Sequence, residues 1–364
     1  MKKVICFPFI GDSFGGSHQS SLVIIKSLKK KGVNPVIILH KKGILETILK
    51  KKGINFHFFP LRNFFGSSNN KYLNLIYLIL STPTICYLIS KYKIDIIHSN
   101  DMKIHINWIL PSFLLRKRFI WHQRTIFPNS RISKMLIKLA YAIVSISKFV
   151  QKTIPASLHQ KNVVIYNSLD LNNKNLSFKK KKMILRKKSQ KLIGFFGNIQ
   201  KIKQPHLLLE IAEIIKKNKN NIKICCFGND KENLLNNLKS QIDFKNLYNY
   251  IEFFNFVYPV EPIMNDMDII IATSLNDGFG RTIIEGMKLK KPVIASNAGG
   301  HNEIIKNNQN GILVDSKDPK KFYLGIIKIL NNKEFKKKLV RNASEDCKIF
   351  SVQNINSYLI RLYE

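Results

Sequence analysis

The sequence predicts an α/β protein of two domains built on parallel, doubly wound sheets, and three observations carry that reading. The chain has 364 residues, more than one domain usually holds, and 45% are hydrophobic, enough for each half to bury its own core. Short apolar, β-branched runs alternate with stretches of helical period from one end to the other. Several of those runs end in glycine-bearing loops, as strands do where they turn into the following helix of a doubly wound sheet. A basic stretch separates two such series. It sets the boundaries at 1–170 for the first domain, 171–191 for a linker, 192–345 for the second domain and 346–364 for a terminal helix.

In order, residues 4–10 read as the first strand, 11–17 as a loop holding Gly11, Gly15 and Gly16, and 22–28 as an amphipathic helix ending near Gly32. A strand at 35–39, a helix at 45–51 and a strand at 56–59 continue the alternation. Residues 73–90 are apolar enough to suggest a membrane span, but Asn74, Ser81, Thr82, Pro83 and Thr84 interrupt them. A span needs about 20 predominantly apolar residues, so a kinked core helix is expected. A strand at 91–97 then ends in His98, Ser99, Asn100 and Asp101, polar residues at the edge where open α/β sheets bind ligands. The helix at 104–115 carries Trp108, Phe113 and Leu114 and runs into Arg116, Lys117 and Arg118. Core packing with a basic last turn and an interfacial surface explain it equally. Strands at 119–124 and 140–146 follow, the first holding His122. A single histidine such as His98 or His122 is ordinarily structural.

Residues 172–191 include four consecutive lysines at 179–182 and then Arg186, Lys187 and Lys188. With no aromatic residues interleaved for base stacking, this is read as a solvated linker. In the second domain, strands at 192–197, 222–228 and 251–254 and a helix at 206–216 lead to the most informative segment, 268–303. There a β-branched strand at 269–271 enters the loop 274–280, and a helix at 282–287 carries Glu285. A strand at 292–295 ends in Gly299 and Gly300, with Glu303 three residues on. Helices at 322–330 and 335–340 precede the terminal helix at 351–362.

Glycine loops let backbone N–H groups approach a ligand, and helix N-termini supply unpaired donors and partial positive charge, an arrangement suited to a diphosphate. Asp277 in the loop and Glu285 in the helix, eight residues apart, could accept hydrogen bonds from hydroxyl groups. Either acid alone is equally well a solvated residue favoured by a helix start. Lys203, just before the helix at 206–216, could clamp a phosphate. Asp266 and Asp268 have the spacing of a metal-binding Asp-x-Asp pair, a match of little specificity.

The formal charge of +37 would favour nucleic acid, anionic membranes or negatively charged substrates. A compositional bias towards Asn, Ile and Lys explains it as well. The five cysteines, Cys6, Cys86, Cys225, Cys226 and Cys347, form no CxxC pair, and a reducing, cytoplasmic compartment is expected. The opening Met1-Lys2-Lys3 is followed by too short an apolar run for a signal peptide.

Taken together, the acidic residue, Gly278-Phe279-Gly280, Glu285, the apolar strand and Gly299-Gly300-x-x-Glu303 resemble the signature of retaining glycosyltransferase family 4, the group 1 glycosyltransferases. The resemblance implies two Rossmann-like domains facing a cleft, the GT-B architecture, with the terminal helix returning to the first domain. It assigns Glu285 to the donor ribose, Asp277 to the donor sugar, and the amides of Gly278, Phe279 and Gly280 with Lys203 to the diphosphate. Asn198, Arg281 and Thr282 join the donor site, Gly15 and Gly16 close over its phosphates, and His122 stands at the transfer centre. Ser147 would open a helix, and Asn167-Ser168-x-Asp170 would match the family's Asn-Gly-x-Asp element. Asp277 replaces the family's usual glutamate, Asn198 its arginine and Ser168 its glycine. The activity implied is metal-independent retaining transfer of a hexosyl-type sugar from a UDP- or GDP-sugar to a glycan or lipid-linked acceptor, in bacterial surface polysaccharide or lipopolysaccharide assembly. No cofactor and no specific nucleic acid are expected. An anionic membrane surface, the cytoplasmic face of the inner membrane, is a further partner. The alternatives are a GT-B epimerase or phosphorylase, or a non-catalytic protein that binds nucleic acid or membranes.

Overall fold

The computed structural model describes residues 3–61, 63–170 and 186–364. The chain divides into two compact units, Met1–Leu169 with Val352–Glu364, and Asp170–Ser351. The lysine run at 179–182 lies outside the described residues.

The first unit alternates β1 (Ile5–Phe9), α1 (Gly16–Lys30), β2 (Val36–Leu39), α2 (Ile44–Lys51), β3 (His57–Phe58), α3 (Lys71–Lys91), β4 (Ile96–Ser99), α4 (Met102–Leu114), β5 (Arg118–Gln123), α5 (Arg131–Leu136), β6 (Ala142–Ser145), α6 (Lys148–Gln151) and β7 (Asn162–Val164). Its parallel sheet runs β3-β2-β1-β4-β5-β6-β7. Strand order therefore reverses between β1 and β4, and loops leaving their carboxyl ends diverge to leave a crevice. β1 and β4 to β6 are buried almost throughout, as parallel strands covered by helices must be. Trp108 and Trp121 are fully buried, and the Trp108 indole N–H donates to His40 Nε2 at 3.1 Å. Ser147 caps α6 by accepting from the Val150 N–H.

The second unit repeats the pattern with β8 (Lys191–Phe196), α7 (Pro205–Lys217), β9 (Ile222–Phe227), α8 (Leu235–Phe244), β10 (Ile251–Phe254), α9 (Glu261–Asp266), β11 (Ile269–Ala272), α10 (Arg281–Lys288), β12 (Val293–Ser296), α11 (His301–Ile304), β13 (Ile312–Val314), α12 (Pro319–Asn331) and α13 (Lys333–Asp346). The sheet order is β10-β9-β8-β11-β12-β13, all parallel, with the reversal between β8 and β11. The last helix, α14 (Val352–Tyr363), belongs to the first unit, where it packs on α1.

Several elements differ from the sequence reading. α1 begins at Gly16, six residues before the expected start, because Ser20 and Ser21 turn their hydroxyls onto the carbonyls of Gly16 and Ser17 and are buried. The strand expected at 91–97 begins only at Ile96. Lys91 still ends α3, Lys93 turns the chain with φ 50°, and the Ile94 N–H returns to the Ile89 carbonyl. The strand expected at 56–59 shrinks to two exposed residues. α3 continues through Pro83 but is not a core helix all round. Leu78, Ile85, Leu88 and Ile89 are buried, whereas Tyr72, Ile76, Ile79 and Leu80 are exposed. α5, α8 and β13 went unread because they are short or, in α8, mostly polar.

Candidate active site

In the second unit three loops meet at the switch point, those leaving β8, β11 and β12. Backbone bonds hold the first two together. The Leu275 N–H donates to the Ile202 carbonyl at 2.9 Å, and the Thr273 hydroxyl donates to the Lys203 carbonyl at 2.6 Å. The β11 and β12 loops join where the Gly300 N–H donates to the Asp277 carbonyl at 2.8 Å. Glycine is required at this junction. Gly299 has φ 59°, and a Cβ on it would lie 2.4 Å from the Asp277 carbonyl oxygen. Gly280, with φ 101°, stands at the N-cap of α10, where a Cβ would lie 2.8 Å from the His301 ring.

Asp277 is the centre of this junction. Its Oδ2 accepts from Lys203 Nζ at 2.5 Å, and its Oδ1 accepts from the Phe279 N–H at 3.2 Å. His301 Nε2 lies 3.7 Å from Oδ2, and the ring is fully buried with Nδ1 3.1 Å from both the hydroxyl and the carbonyl of Ser296. Burial by itself would raise the Asp277 carboxyl. The Lys203 ammonium, followed by His301, outweighs burial and holds it well below the usual carboxylate range.

Glu285 is 5% exposed, on the inner face of α10, and its Oε1 accepts from Arg281 Nε at 2.7 Å one turn earlier. Burial raises the Glu285 carboxyl and Arg281 opposes that rise. Phe279 is buried edge-on against Phe350, ring centroids 5.5 Å apart. Asn198 and Thr282 are half-buried beside this junction's loops, Asn198 just after β8 and Thr282 in the first turn of α10. The Asp268 carboxylate accepts from the Leu192 N–H and from Arg186, both at 2.9 Å. It thereby ties β8 to β11, a structural task that explains one half of the Asp-x-Asp match.

A second polar cluster lies in the first unit, at the carboxyl ends of β4 and β5. His98 Nε2 and His122 Nδ1 are 2.9 Å apart, and His98 Nδ1 is 2.6 Å from the Tyr363 hydroxyl of α14. Arg124 donates through Nε and Nη2 to Asn100 Oδ1 at 3.2 and 2.7 Å and through Nη1 to Asn167 Oδ1. Burial, then the Arg124 charge, pushes both histidines well below their ordinary values. Asp101 caps α4 through the Ile104 N–H, and burial pushes its carboxyl up to about 6. Gly15 caps α1 in extended backbone, and a Cβ there would meet nothing within 4 Å, whereas Gly11 is packed on the Lys41 carbonyl.

Residues 177–346 match the family model for glycosyl transferases group 1. That matched segment, which lies in the second unit, is similar to the group 1 glycosyltransferases. The uncharacterized glycosyltransferase MJ1178 of Methanocaldococcus jannaschii is similar at 27% identity, the alignment covering 94% of this chain and 99% of that one. A poly(ribitol-phosphate) alpha-N-acetylglucosaminyltransferase of Staphylococcus aureus is 26% identical over 40% of this chain and 29% of its own length. The crystal structure of Anabaena HepE in complex with UDP and glucose superposes with a TM-score of 0.84 at 22% identity, over 99% of each chain. The likeness shows the fold, two Rossmann-like units of the GT-B architecture.

In the second unit the structure brings Lys203, Asp277, Gly278, Phe279 and Gly280 together, with Arg281, Thr282 and Glu285 on the helix that follows. The Phe279 amide donates to Asp277, and Arg281, expected in the donor site, is paired with Glu285. His301 was missed, although it directly follows the glycine pair. Arg124, His98 and Tyr363 were missed as partners of His122, since nothing local in the sequence joins them.

Proposed function

We propose that this chain is a retaining, metal-independent glycosyltransferase that moves a hexosyl-type sugar from a UDP- or GDP-sugar to a glycan or lipid-linked acceptor in bacterial surface polysaccharide or lipopolysaccharide assembly. The observation that carries it is the Lys203–Asp277–His301 cluster set beside the N-terminus of α10 at the switch point. Lys203 is close enough to exchange its bond with Asp277 for a bond to the donor's diphosphate, where negative charge grows as the sugar leaves. Asp277, held ionised, accepts from a hydroxyl of the transferred sugar. Glu285 keeps Arg281 on one oxygen and offers the other to the ribose hydroxyls. Gly15, at the N-cap of α1 in the first unit, has open space where a side chain would lie. Neither acid is set up as a glycosidase-type nucleophile. The bond from the anomeric carbon to phosphate therefore breaks as the acceptor oxygen bonds on the same face, and the acceptor proton passes to the leaving phosphate. HepE holds UDP and glucose, which makes UDP-sugars the first donors to try.

The test is thermal stability with UDP, GDP, CDP and ADP and their sugars, wild type beside Glu285→Ala. A ligand at 100 times its dissociation constant stabilises by about 2.7 kcal/mol. One nucleotide class should shift the wild type and not the variant. No shift with any of them rejects the reading, and a product of inverted anomeric configuration rejects retention.

A second observation favours an anionic membrane surface as partner, approached through α3. Its exposed Tyr72, Ile76, Ile79 and Leu80 lie beside α4, whose Phe113 and Leu114 are also exposed. Lys71, Lys91, Lys93 and Arg116 border this face. No acidic residue occurs between Glu46 and Asp95 or between Asp101 and Asp170. Apolar and tyrosine side chains rimmed by lysine suit the headgroup region of an anionic bilayer, where each cation adds about 1 kcal/mol. Co-sedimentation should be strong with phosphatidylglycerol vesicles, weak with phosphatidylcholine, and reduced by Ile79→Glu with Leu80→Glu. Equal binding to both lipids, or self-association through α3 instead, would reject it.

A further inference from the structure

We propose that Tyr363 and His98 form a positioning relay that keeps the proton of His122 on Nε2, so that His122 presents a hydrogen-bond donor to a ligand oxygen. The three groups form one line of short contacts, 2.6 Å from the Tyr363 hydroxyl to His98 Nδ1 and 2.9 Å from His98 Nε2 to His122 Nδ1. At the far end, His122 Nε2 is buried without a hydrogen-bond partner among the described residues. Phe7 of β1 stacks on His98 with ring centroids 4.9 Å apart and fixes its plane.

Proton counting decides the direction. Each neutral imidazole carries one N–H and one acceptor nitrogen, and a phenol must donate its single hydrogen. If Tyr363 donates to His98 Nδ1, then His98 donates through Nε2 to His122 Nδ1, and the proton of His122 sits on Nε2. A single donor is then left open. In the reverse direction His122 Nδ1 donates to His98 Nε2, and His98 Nδ1 donates to the Tyr363 oxygen. The buried Tyr363 hydrogen and the bare His122 Nε2 are then both unmatched. Leaving a buried polar group unmatched is costly, so the first direction is the one populated. Burial, then the Arg124 charge, acts against a second proton on His122, so the ring stays neutral and is not a charged acid. The line crosses from α14 to the switch point of the first sheet, 265 residues apart in sequence.

The use of that donor rests on the proposed glycosyl transfer, but the proton arrangement does not. The experiment is a long-range ¹H–¹⁵N correlation on histidine-labelled full-length protein at pH 7, with His122→Gln to assign the resonance. The wild type should show His122 as the Nε2–H form, favoured about fivefold or more, the ratio one ordinary hydrogen bond supports. Tyr363→Phe removes the difference between the two directions and should bring the forms near parity, whereas Tyr87→Phe changes nothing. A wild-type His122 protonated on Nδ1, or a ratio unchanged in folded Tyr363→Phe, overturns the relay. UDP-glucose should then shift the His122 Nε2–H resonance. A donor that stabilises the protein thermally yet leaves this resonance unmoved overturns the ligand half of the proposal. A donor panel with no thermal effect overturns glycosyl transfer instead, and the tautomer measurement still decides the relay.

Discussion

Replacing Lys203 by Met keeps the apolar stem and removes the ammonium that stands 2.5 Å from Asp277. The two side chains are 25% and 23% exposed, between the surface pairs that contribute up to about 1 kcal/mol and the fully buried ones whose disruption costs about 3–5. A loss of about 2 kcal/mol is expected, a fall in melting temperature of about 4–8 °C for a unit of this size. The pH dependence has a definite sign. Asp277 is depressed in the folded state, so its contribution is complete above the unfolded value near 4 and is lost as pH falls through the lower folded value. Lys203→Met should therefore be most destabilised relative to wild type at pH 5–7, and the difference should shrink below about pH 4. Urea unfolding of wild type, Lys203→Met, Asp277→Asn and the double variant at pH 7 isolates the pair, with an expected coupling of about 1–2 kcal/mol. A coupling under about 0.5 kcal/mol, or a difference that widens in acid, would refute the assignment of Asp277 as an anion held by Lys203.

Three further outcomes are expected. Gly280→Ala must place a Cβ at φ 101° and 2.8 Å from His301; chemical unfolding should show a loss of about 1–3 kcal/mol, and an unchanged midpoint would show that the turn is not needed. Glu285→Gln keeps the shape of the buried side chain but removes its charge, so the donor-induced thermal shift should fall while the apo protein still unfolds cooperatively; a full donor shift would remove Glu285 from the ribose site. Because Asp268 is engaged by Leu192 and Arg186, donor turnover should persist in excess EDTA, and loss of turnover restored by Mn²⁺ or Mg²⁺ would reject metal independence.

The parts of the site that the sequence exposed are those written within a few residues of one another. Glycines at 278 and 280, followed at helical spacing by Glu285, report a strand, a turn and a helix start, because backbone hydrogen bonding and side-chain period act over that range. The same locality explains the errors. Serine hides the first turn of α1, since its hydroxyl can bond either the helix or another backbone path. The polar α8 and the short β13 carry too few apolar positions to show a period. For α3, hydrophobicity indicated burial, yet only one face meets the rest of the unit.

By itself, then, the sequence determined an α/β chain of two repeating series, a glycine-bearing loop at 274–280 leading into a helix, and a strongly cationic composition. Only the tertiary structure decided that Lys203 belongs to Asp277 across 74 residues, that His301 stands behind the same carboxylate, and that Tyr363 reaches His98 from the far end of the chain. Those meetings depend on strand order. The reversal between β8 and β11, and that between β1 and β4, brings distant loops to one edge, and no local propensity or spacing carries that order.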